Sequence, residues 1–275
     1  MKLTKMIKTI AVAGLSLSAT VAAHADNKEA ARKVFADNVP SVLGVRGLLK
    51  IEASMNGQPA GSQEKQLTTN GVVVADGLVA VAYRTIKPDL SANIASRPGL
   101  KLESDLAEIK VLDSSGEEYD AKLVLHDEDL GLAFVAIDPK GDKAKDFKVK
   151  AVDVSKDVEV KHLDELVGIG RLPENMRSEG RVSLGSVAAI VTRPRTLYIV
   201  QGVAMSNPIF TQAGEFIGLT VALKDSGGAP VLIPAKYLRK VLDQAKAKQA
   251  ELANAPAKEE PKEDKPAEPN EPKAE

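Results

Sequence analysis

Short aliphatic segments separated by turn-forming residues are the feature that most constrains the fold of this chain. Turn signals interrupt the apolar runs at Asp76-Gly77, Lys87-Pro88 and Ser115-Gly116. Many short strands with frequent turns are typical of β-barrels and β-sandwiches. In the first half of the chain the predicted strands are Ser41–Glu52, Gly71–Val74, Leu78–Ala82, Ala107–Leu112, Ala121–Leu125 and Ala133–Ile137. In the second half they are Val149–Val152, Leu166–Ile169, Ser186–Thr192, Leu197–Gly202, Phe216–Leu223 and Pro230–Ile233.

The composition favours an aliphatic core and excludes several classes of protein. Of the 275 residues, 44% are hydrophobic but only 3% are aromatic, so Val, Ile and Leu must fill the core. A formal net charge of −1 gives no sign of nucleic-acid binding. Because there is no cysteine, disulfides, thiol catalysis and cysteine-based metal sites are excluded. We predict neither a metal nor a cofactor.

The two ends of the sequence differ from the part between them. A lysine-rich start precedes a short apolar run and the small-x-small site Ala23-His24-Ala25, which predicts a signal peptide over residues 1–25. The alternative is a membrane anchor, but the run falls well short of about 20 residues. We therefore expect a periplasmic or secreted bacterial protein with no membrane span after cleavage. Prolines spaced among Lys and Glu predict a disordered tail over residues 251–275.

Two helices and a linker complete the predicted organisation. Asn27–Asp37 is interpreted as a short helix that Pro40 ends. A second helix begins at Pro234, with Leu238 and Leu242 among the apolar residues at helical spacing. A Lys/Asp/Gly-rich linker then divides the chain into two β-rich halves, residues 26–140 with the leading helix and residues 141–250 with the closing helix.

Three segments resemble the catalytic regions of trypsin-like serine proteases of the HtrA/Deg group. Gly71–Ile86 is similar to the segment that carries the catalytic histidine, and Lys122–Ile137 to the one that carries the catalytic aspartate. Val203–Gly218 is similar to the nucleophile loop and the strand after it. The resemblance covers roughly residues 35 to 245. It implies an all-β fold of two six-stranded chymotrypsin-like β-barrels with a C-terminal helix, here without a PDZ domain.

The side chains at the three catalytic positions are wrong for hydrolysis. Arg84 stands at the histidine position, Gly131 at the aspartate position and Met205 at the nucleophile position. A serine protease needs a nucleophilic oxygen, a base and a carboxylate that orients the base. Methionine has no proton to transfer, arginine stays charged and glycine has no side chain. The resemblance therefore implies a catalytically degenerate protein, a pseudoprotease.

Two neighbours of Met205 complete the predicted site. Val203 stands where the family has a glycine whose N–H contributes to the oxyanion hole, and valine reaches glycine conformations only at a cost. Ser206 is an alternative nucleophile, because a slip of one residue would place it at the nucleophile position. Only His126 and His162 follow the signal peptide, and neither is expected to serve Ser206 as a base.

Further expectations concern the surroundings of this site. We expect Arg84 to pair with a carboxylate such as Asp127 or Asp129, and Met205 to serve as packing material. His126, Asp127 and Asp129 are too few and too close in sequence to predict a metal site. The segment Lys87–Leu106 is predicted as a long loop beside the cleft.

The leading hypothesis for function is binding without cleavage. The resemblance implies that an extended polypeptide or partner protein pairs with an exposed strand edge, for which Leu197, Tyr198, Ile199 and Val200 are the candidates. One alternative is a hydrolase with a non-standard nucleophile such as Ser206. Another is a structural envelope protein that uses its tail as a spacer. Because members of this group often form trimers, self-association is a further expectation.

Overall fold

The computed structural model describes residues 27–90, 97–224 and 226–254, and these ranges form two closed six-stranded β-barrels followed by a helix. The predicted fold class is therefore confirmed, and the architecture is chymotrypsin-like. The predicted signal peptide lies outside the described residues, as does the predicted tail from residue 255. Residues 251–254 are helical, so that part of the tail prediction is wrong.

The first barrel is built from the amino-terminal half of the chain. Its strands are β1 (Val42–Met55), β2 (Gln58–Ala75), β3 (Leu78–Ala82), β4 (Leu100–Leu112), β5 (Glu118–Asp127) and β6 (Leu132–Ile137). They are hydrogen-bonded in the order β1–β2–β3–β6–β5–β4 and close back on β1. Its interior is mainly aliphatic, as the composition predicts, with Leu43, Val45, Val79 and Val81 among the fully buried side chains.

The second barrel repeats this architecture in the carboxyl-terminal half. Its strands are β7 (Glu165–Arg171), β8 (Gly180–Val191), β9 (Leu197–Gln201), β10 (Pro208–Phe210), β11 (Phe216–Val221) and β12 (Val231–Pro234). Their order is β10–β11–β12–β9–β8–β7. The sequence did not predict β10, which is too short to show a pattern. The predicted strand Val149–Val152 is wrong, because this stretch is irregular and makes one backbone bond, from Val152 N to Val73 O at 2.9 Å.

The first and the last helix each contact the barrel that the opposite half of the chain forms. Helix α1, residues 27–38, lies on the second barrel, where Asn27 donates to Glu165 and Phe35 packs over Gly180. Helix α3 (Ala235–Asn254) extends to the first barrel, where Gln249 donates to the carbonyl of Asp76 at 2.9 Å. The single turn α2 (Tyr83–Ile86) follows β3. None of the helices in the described ranges is long and apolar enough to cross a membrane.

A large apolar cluster joins the two barrels. It combines outward-facing residues of both barrels with residues of α1 and α3, and Phe134 and Phe210 are among its fully buried members. Arg171 ties the same junction with polar contacts. Its guanidinium donates to the carbonyls of Val39, Val42 and Ser178, and burial lowers its pKa. The barrels are therefore fixed to each other by apolar packing and by hydrogen bonds to the backbone.

Three strands extend beyond the first barrel as an antiparallel sheet, which we call the arm. It comprises Leu49–Met55 of β1, Gln58–Lys65 of β2 and Leu100–Leu106 of β4. Asn56 and Gly57, with φ of 51° and 83°, form the two-residue turn at its tip, as expected for a type I′ hairpin. The prediction of a loop over Lys87–Leu106 is therefore wrong from Leu100 onward, because these residues pair with β1.

Candidate active site, without its triad

The fold brings the three segments with protease-like sequences together. The backbone N–H of Ala82, at the end of β3, donates to Ser206 Oγ at 3.1 Å. The next N–H, of Tyr83, donates to the carbonyl of Gly131 at 2.8 Å. Arg84 follows in α2. The loop after β9, the turn before β6 and the end of β3 therefore meet at one place between the barrels.

Arg84 lines a cavity of about 300 Å³ beside this meeting point. Its guanidinium lies 3.9 Å from the carboxylate of Asp89, and its side chain is 27% exposed. Arg84 therefore pairs with a carboxylate, as expected, but the ion pair in the described residues is with Asp89 and not with Asp127 or Asp129. The Asp127 carboxylate accepts a hydrogen bond from the N–H of Leu130. Other side chains that line the cavity are Tyr83, Lys87, Leu90, Leu102, Ser104 and Glu128.

The aspartate position is filled from the second barrel. Gly131 has a φ of +64°, and a Cβ built on it would lie 3.1 Å from Leu223 Cδ2 and 3.3 Å from Val221 Cγ2. Leu223 follows β11 and Val221 ends it. Any side chain at this position would have to displace these apolar groups and adopt a left-handed backbone conformation. No signal in the sequence pointed to Leu223.

Ser206 is buried and both hydrogen bonds of its hydroxyl are made with backbone atoms. Its side chain donates to the carbonyl of Asn70 at 2.6 Å and accepts from the N–H of Ala82, and the residue is 1% exposed. Its φ of 57° is left-handed, a conformation that costs a serine roughly 1 kcal/mol. The two bonds to the first barrel offset that cost. Ser206 therefore acts as a bridge between the barrels in this structure.

Asn207 continues the bridge. Its Oδ1 accepts from Asn70 Nδ2 at 2.8 Å, and Asn70 Oδ1 accepts from the N–H of Arg171 at 3.0 Å. Behind it, Thr220 Oγ1 accepts from the N–H of Asn207 at 2.9 Å and donates to the carbonyl of Ala204 at 2.7 Å. Asn70 is a site residue that sequence reasoning missed, because a polar residue in a strand gives no local signal of a distant partner.

Met205 and Val203 occupy the remaining positions of the loop. Met205 is half-buried. Val203 is 9% exposed and packs against the inner cluster of the second barrel. Its Cγ1 lies 2.9 Å from a Cβ built on Gly168 and 2.7 Å from one built on Gly185. Two glycines therefore make the space that the valine side chain fills, and the loop is anchored by packing.

The contacts of His126 and His162 are with groups other than Ser206. The ring of His126 stacks on that of Tyr83 at 4.5 Å, and its Nε2 lies 4.0 Å from Glu128. His162 is an exposed turn residue. Burial, together with the Glu128 carboxylate, raises the pKa of the Tyr83 phenol. Within the described ranges, no three or more His, Asp or Glu side chains are placed to hold a metal.

The candidate binding edge at Leu197, Tyr198, Ile199 and Val200 is not free. Strand β9 pairs with β8 on one side, where Ile190 is opposite Tyr198. On the other side it pairs with β12 through Tyr198 and Ile199, and Val200 N donates to Pro230 O at 3.2 Å. The prediction of an exposed edge here is therefore wrong, because the closed barrel satisfies both sides of the strand.

Comparison with known proteins gives no family for this chain. No protein-family model matches the sequence, and a search of curated proteins found no match either. The two-barrel architecture and the geometry of the three segments are therefore the basis for any statement about function.

Removal of the Ser206 hydroxyl is expected to destabilise the fold. In Ser206→Ala, the buried N–H of Ala82 and carbonyl of Asn70 lose their partner while the left-handed backbone remains, so the free energy of unfolding should fall by about 2 kcal/mol. In Ser206→Gly the backbone strain is relieved, and the loss should be about 1 kcal/mol. Urea unfolding measures both. Ser62→Ala, on the exposed arm, is the control; equal losses in Ser206→Ala and Ser62→Ala would contradict the bridging role.

Restoring the missing carboxylate is also expected to be destabilising. Gly131→Asp forces a side chain against Leu223 and Val221, and thermal or urea unfolding should show a loss of roughly 2–3 kcal/mol. Gly116→Asp is a matched control, because Gly116 has a φ of +86° but no atom within 4 Å of a built Cβ. It should cost only the backbone strain, about 1 kcal/mol. If both variants lose the same free energy, the aspartate position is not filled by packing.

Proposed function

We propose that this chain is a non-catalytic protein related to the trypsin-like proteases of the HtrA/Deg group, which binds extended polypeptide in the bacterial cell envelope after removal of residues 1–25. The observation that carries this proposal is the bonding of Ser206. The one hydroxyl in the nucleophile loop is committed to the backbone atoms Asn70 O and Ala82 N. No group is left there to attack a peptide bond.

The other two catalytic positions support the same conclusion. A nucleophilic serine needs a base that removes its proton and a third group that orients the base. Arg84 pairs with Asp89 and cannot act as a base at any physiological pH. Gly131 has no side chain, and Leu223 fills its surroundings. A neighbouring residue can replace one lost catalytic group, but here none of the residues at the three positions can act as nucleophile, base or orienting carboxylate.

Binding of polypeptide is the function that this scaffold retains without its triad. A β-barrel whose strands project beyond closure offers backbone N–H and C=O groups that have no partner strand, and an extended peptide can pair with them. The arm provides such edges outside both closed barrels. Binding of this kind requires no nucleophile, so it is compatible with Arg84, Gly131 and Met205.

The proposal predicts that the protein binds unfolded polypeptide and does not cleave it. The purified mature chain should take no label from a fluorophosphonate probe and leave unfolded casein intact on gels and by mass spectrometry. In fluorescence anisotropy it should bind labelled unfolded casein saturably and should not bind a folded protein of similar size. An active trypsin-like protease serves as the positive control for label and cleavage.

Two results would contradict the proposal. Labelling that disappears in both Ser206→Ala and Ser206→Gly would make Ser206 a nucleophile and the chain a hydrolase. Absence of any binding to unfolded polypeptide, with the protein folded by circular dichroism, would remove the binding function and leave a structural role. Circular dichroism of both variants, taken under the labelling conditions, separates loss of the nucleophile from loss of folding.

A further inference from the structure

The arm has two faces of opposite character. On one face, Leu49, Ile51 and Ala53 of β1 stand opposite Leu106, Ser104 and Leu102 of β4. Lys50 and Glu52 of β1, with Lys101, Glu103 and Asp105 of β4, lie on the other face and are exposed. Because alternate residues of a strand point to opposite faces, the arm is an amphipathic sheet with one apolar side.

A groove of about 580 Å³ runs along the apolar face. Ile51, Ala53 and Leu102 contribute to its floor, and the β2 residues Ala60–Gln63 and Lys65 form one wall. The other described residues that line it are Leu90, Arg97 and Leu100. The groove is separate from the cavity beside Arg84, although Leu90 and Leu102 line both. It therefore lies beyond the position of the former catalytic site, towards the tip of the arm.

The wall made by β2 is an open strand edge. From Gln58 to Asn70, β2 pairs with β1 on one side only, and its pairing with β3 begins at Gly71. Within the described ranges no strand pairs with the other side of this segment. The outward-pointing N–H and C=O groups along this stretch are satisfied by water or by an added strand.

The groove carries positive charge without a compensating acid. Lys65 and Arg97 are its charged lining residues, and no Asp or Glu is among the described residues that line it. Neither cation forms an ion pair within the part of the chain that the structure describes. A ligand that matches the groove therefore brings carboxylates together with apolar side chains.

We propose that the arm binds an extended polypeptide segment as a further strand on the free edge of β2, with its apolar side chains beside Gly61 and Gln63 on the groove face and a carboxylate directed at Lys65 or Arg97. This proposal rests on the proposed polypeptide-binding function and gives it a site and a preferred ligand. The backbone supplies the pairing, and the side chains on the groove face supply the preference.

A second copy of this chain fits the edge less well. Its β2 would bring another Lys65 in place of a carboxylate, and its Pro59 lacks the N–H that a ladder needs. Proline and lysine on an exposed edge are devices that limit pairing between identical copies. The edge therefore discriminates against self-association while the stretch between Ser62 and Asn70, which has no proline or glycine, remains able to pair.

The test uses the end-capped peptide Glu-Thr-Val-Thr-Val-Thr-Glu, whose Glu and Val side chains share one face in either strand direction. Amide hydrogen exchange of the mature protein, followed by NMR, should show that residues of the open β2 edge are protected on peptide addition. The matched peptide Lys-Thr-Val-Thr-Val-Thr-Lys should bind about tenfold more weakly.

Variants on the two faces of the arm distinguish a charge effect in the groove from a general effect of surface charge. Lys65→Glu combined with Arg97→Glu should weaken the Glu peptide about tenfold and favour the Lys peptide. Lys101→Glu, on the opposite face, should change either affinity by less than about twofold, since its charge is screened by solvent. All variants should keep the wild-type melting temperature, because the three side chains are exposed.

The outcomes are distinguishable from those of the proposed function. If the protein binds unfolded casein but the peptide gives no protection of the β2 edge, or if charge reversal has no effect, the arm is not the site and the polypeptide-binding function stands. If protection appears without peptide and rises with protein concentration, the edge binds a second copy and the proposal is wrong. If neither casein nor peptide binds, both proposals fail.

Discussion

The hydrogen bonds between the Ser206–Asn207 pair and Asn70 are the interaction on which the rest of this structure depends. They connect the loop after β9 to β2 and bring Ala82, and with it the end of β3, against the second barrel. Arg171 donates its backbone N–H to the same asparagine, and its guanidinium holds the entry to β1 through the carbonyls of Val39 and Val42. The loop that resembles the nucleophile loop of a protease therefore connects the two barrels in this chain. The hydrogen bonds of the Ser206 hydroxyl hold that residue in its left-handed backbone conformation.

A loop used as a joint is free of the requirements of catalysis. Val203 packs against the second barrel where the protease family has a glycine, and Leu223 fills the space beside Gly131. Both changes add apolar contact at positions where a protease keeps room for an oxyanion or a carboxylate. The proposed absence of hydrolysis and the packing between the two barrels would therefore have the same structural origin. The proposed binding function would then use a surface outside this junction, such as the arm.

Sequence reasoning succeeded where the pattern was local. Alternating aliphatic runs predicted most strands, and the three protease-like segments predicted which loops would meet. It failed where pairing or partners were distant: the open edge expected at Tyr198 is paired by β12, and nothing marked Asn70 as a bridge. One available signal was overlooked. Asn56-Gly57 is flanked by segments in which polar and apolar residues alternate, a pattern that is typical of a tight hairpin and would have indicated the arm. The irregular stretch at Val149–Val152 shows that β-branched composition alone does not supply a partner strand.

The most direct test of the joint is a double-mutant cycle between Asn70 and Asn207. Unfolding free energies of Asn70→Ala, Asn207→Ala and the double variant separate their mutual interaction from the separate effects of each side chain. If the pair holds the barrels together, the coupling should be at least about 1 kcal/mol. Additive losses within roughly 0.3–0.5 kcal/mol would show that the two side chains act independently and would contradict the account of the nucleophile loop as an inter-barrel joint.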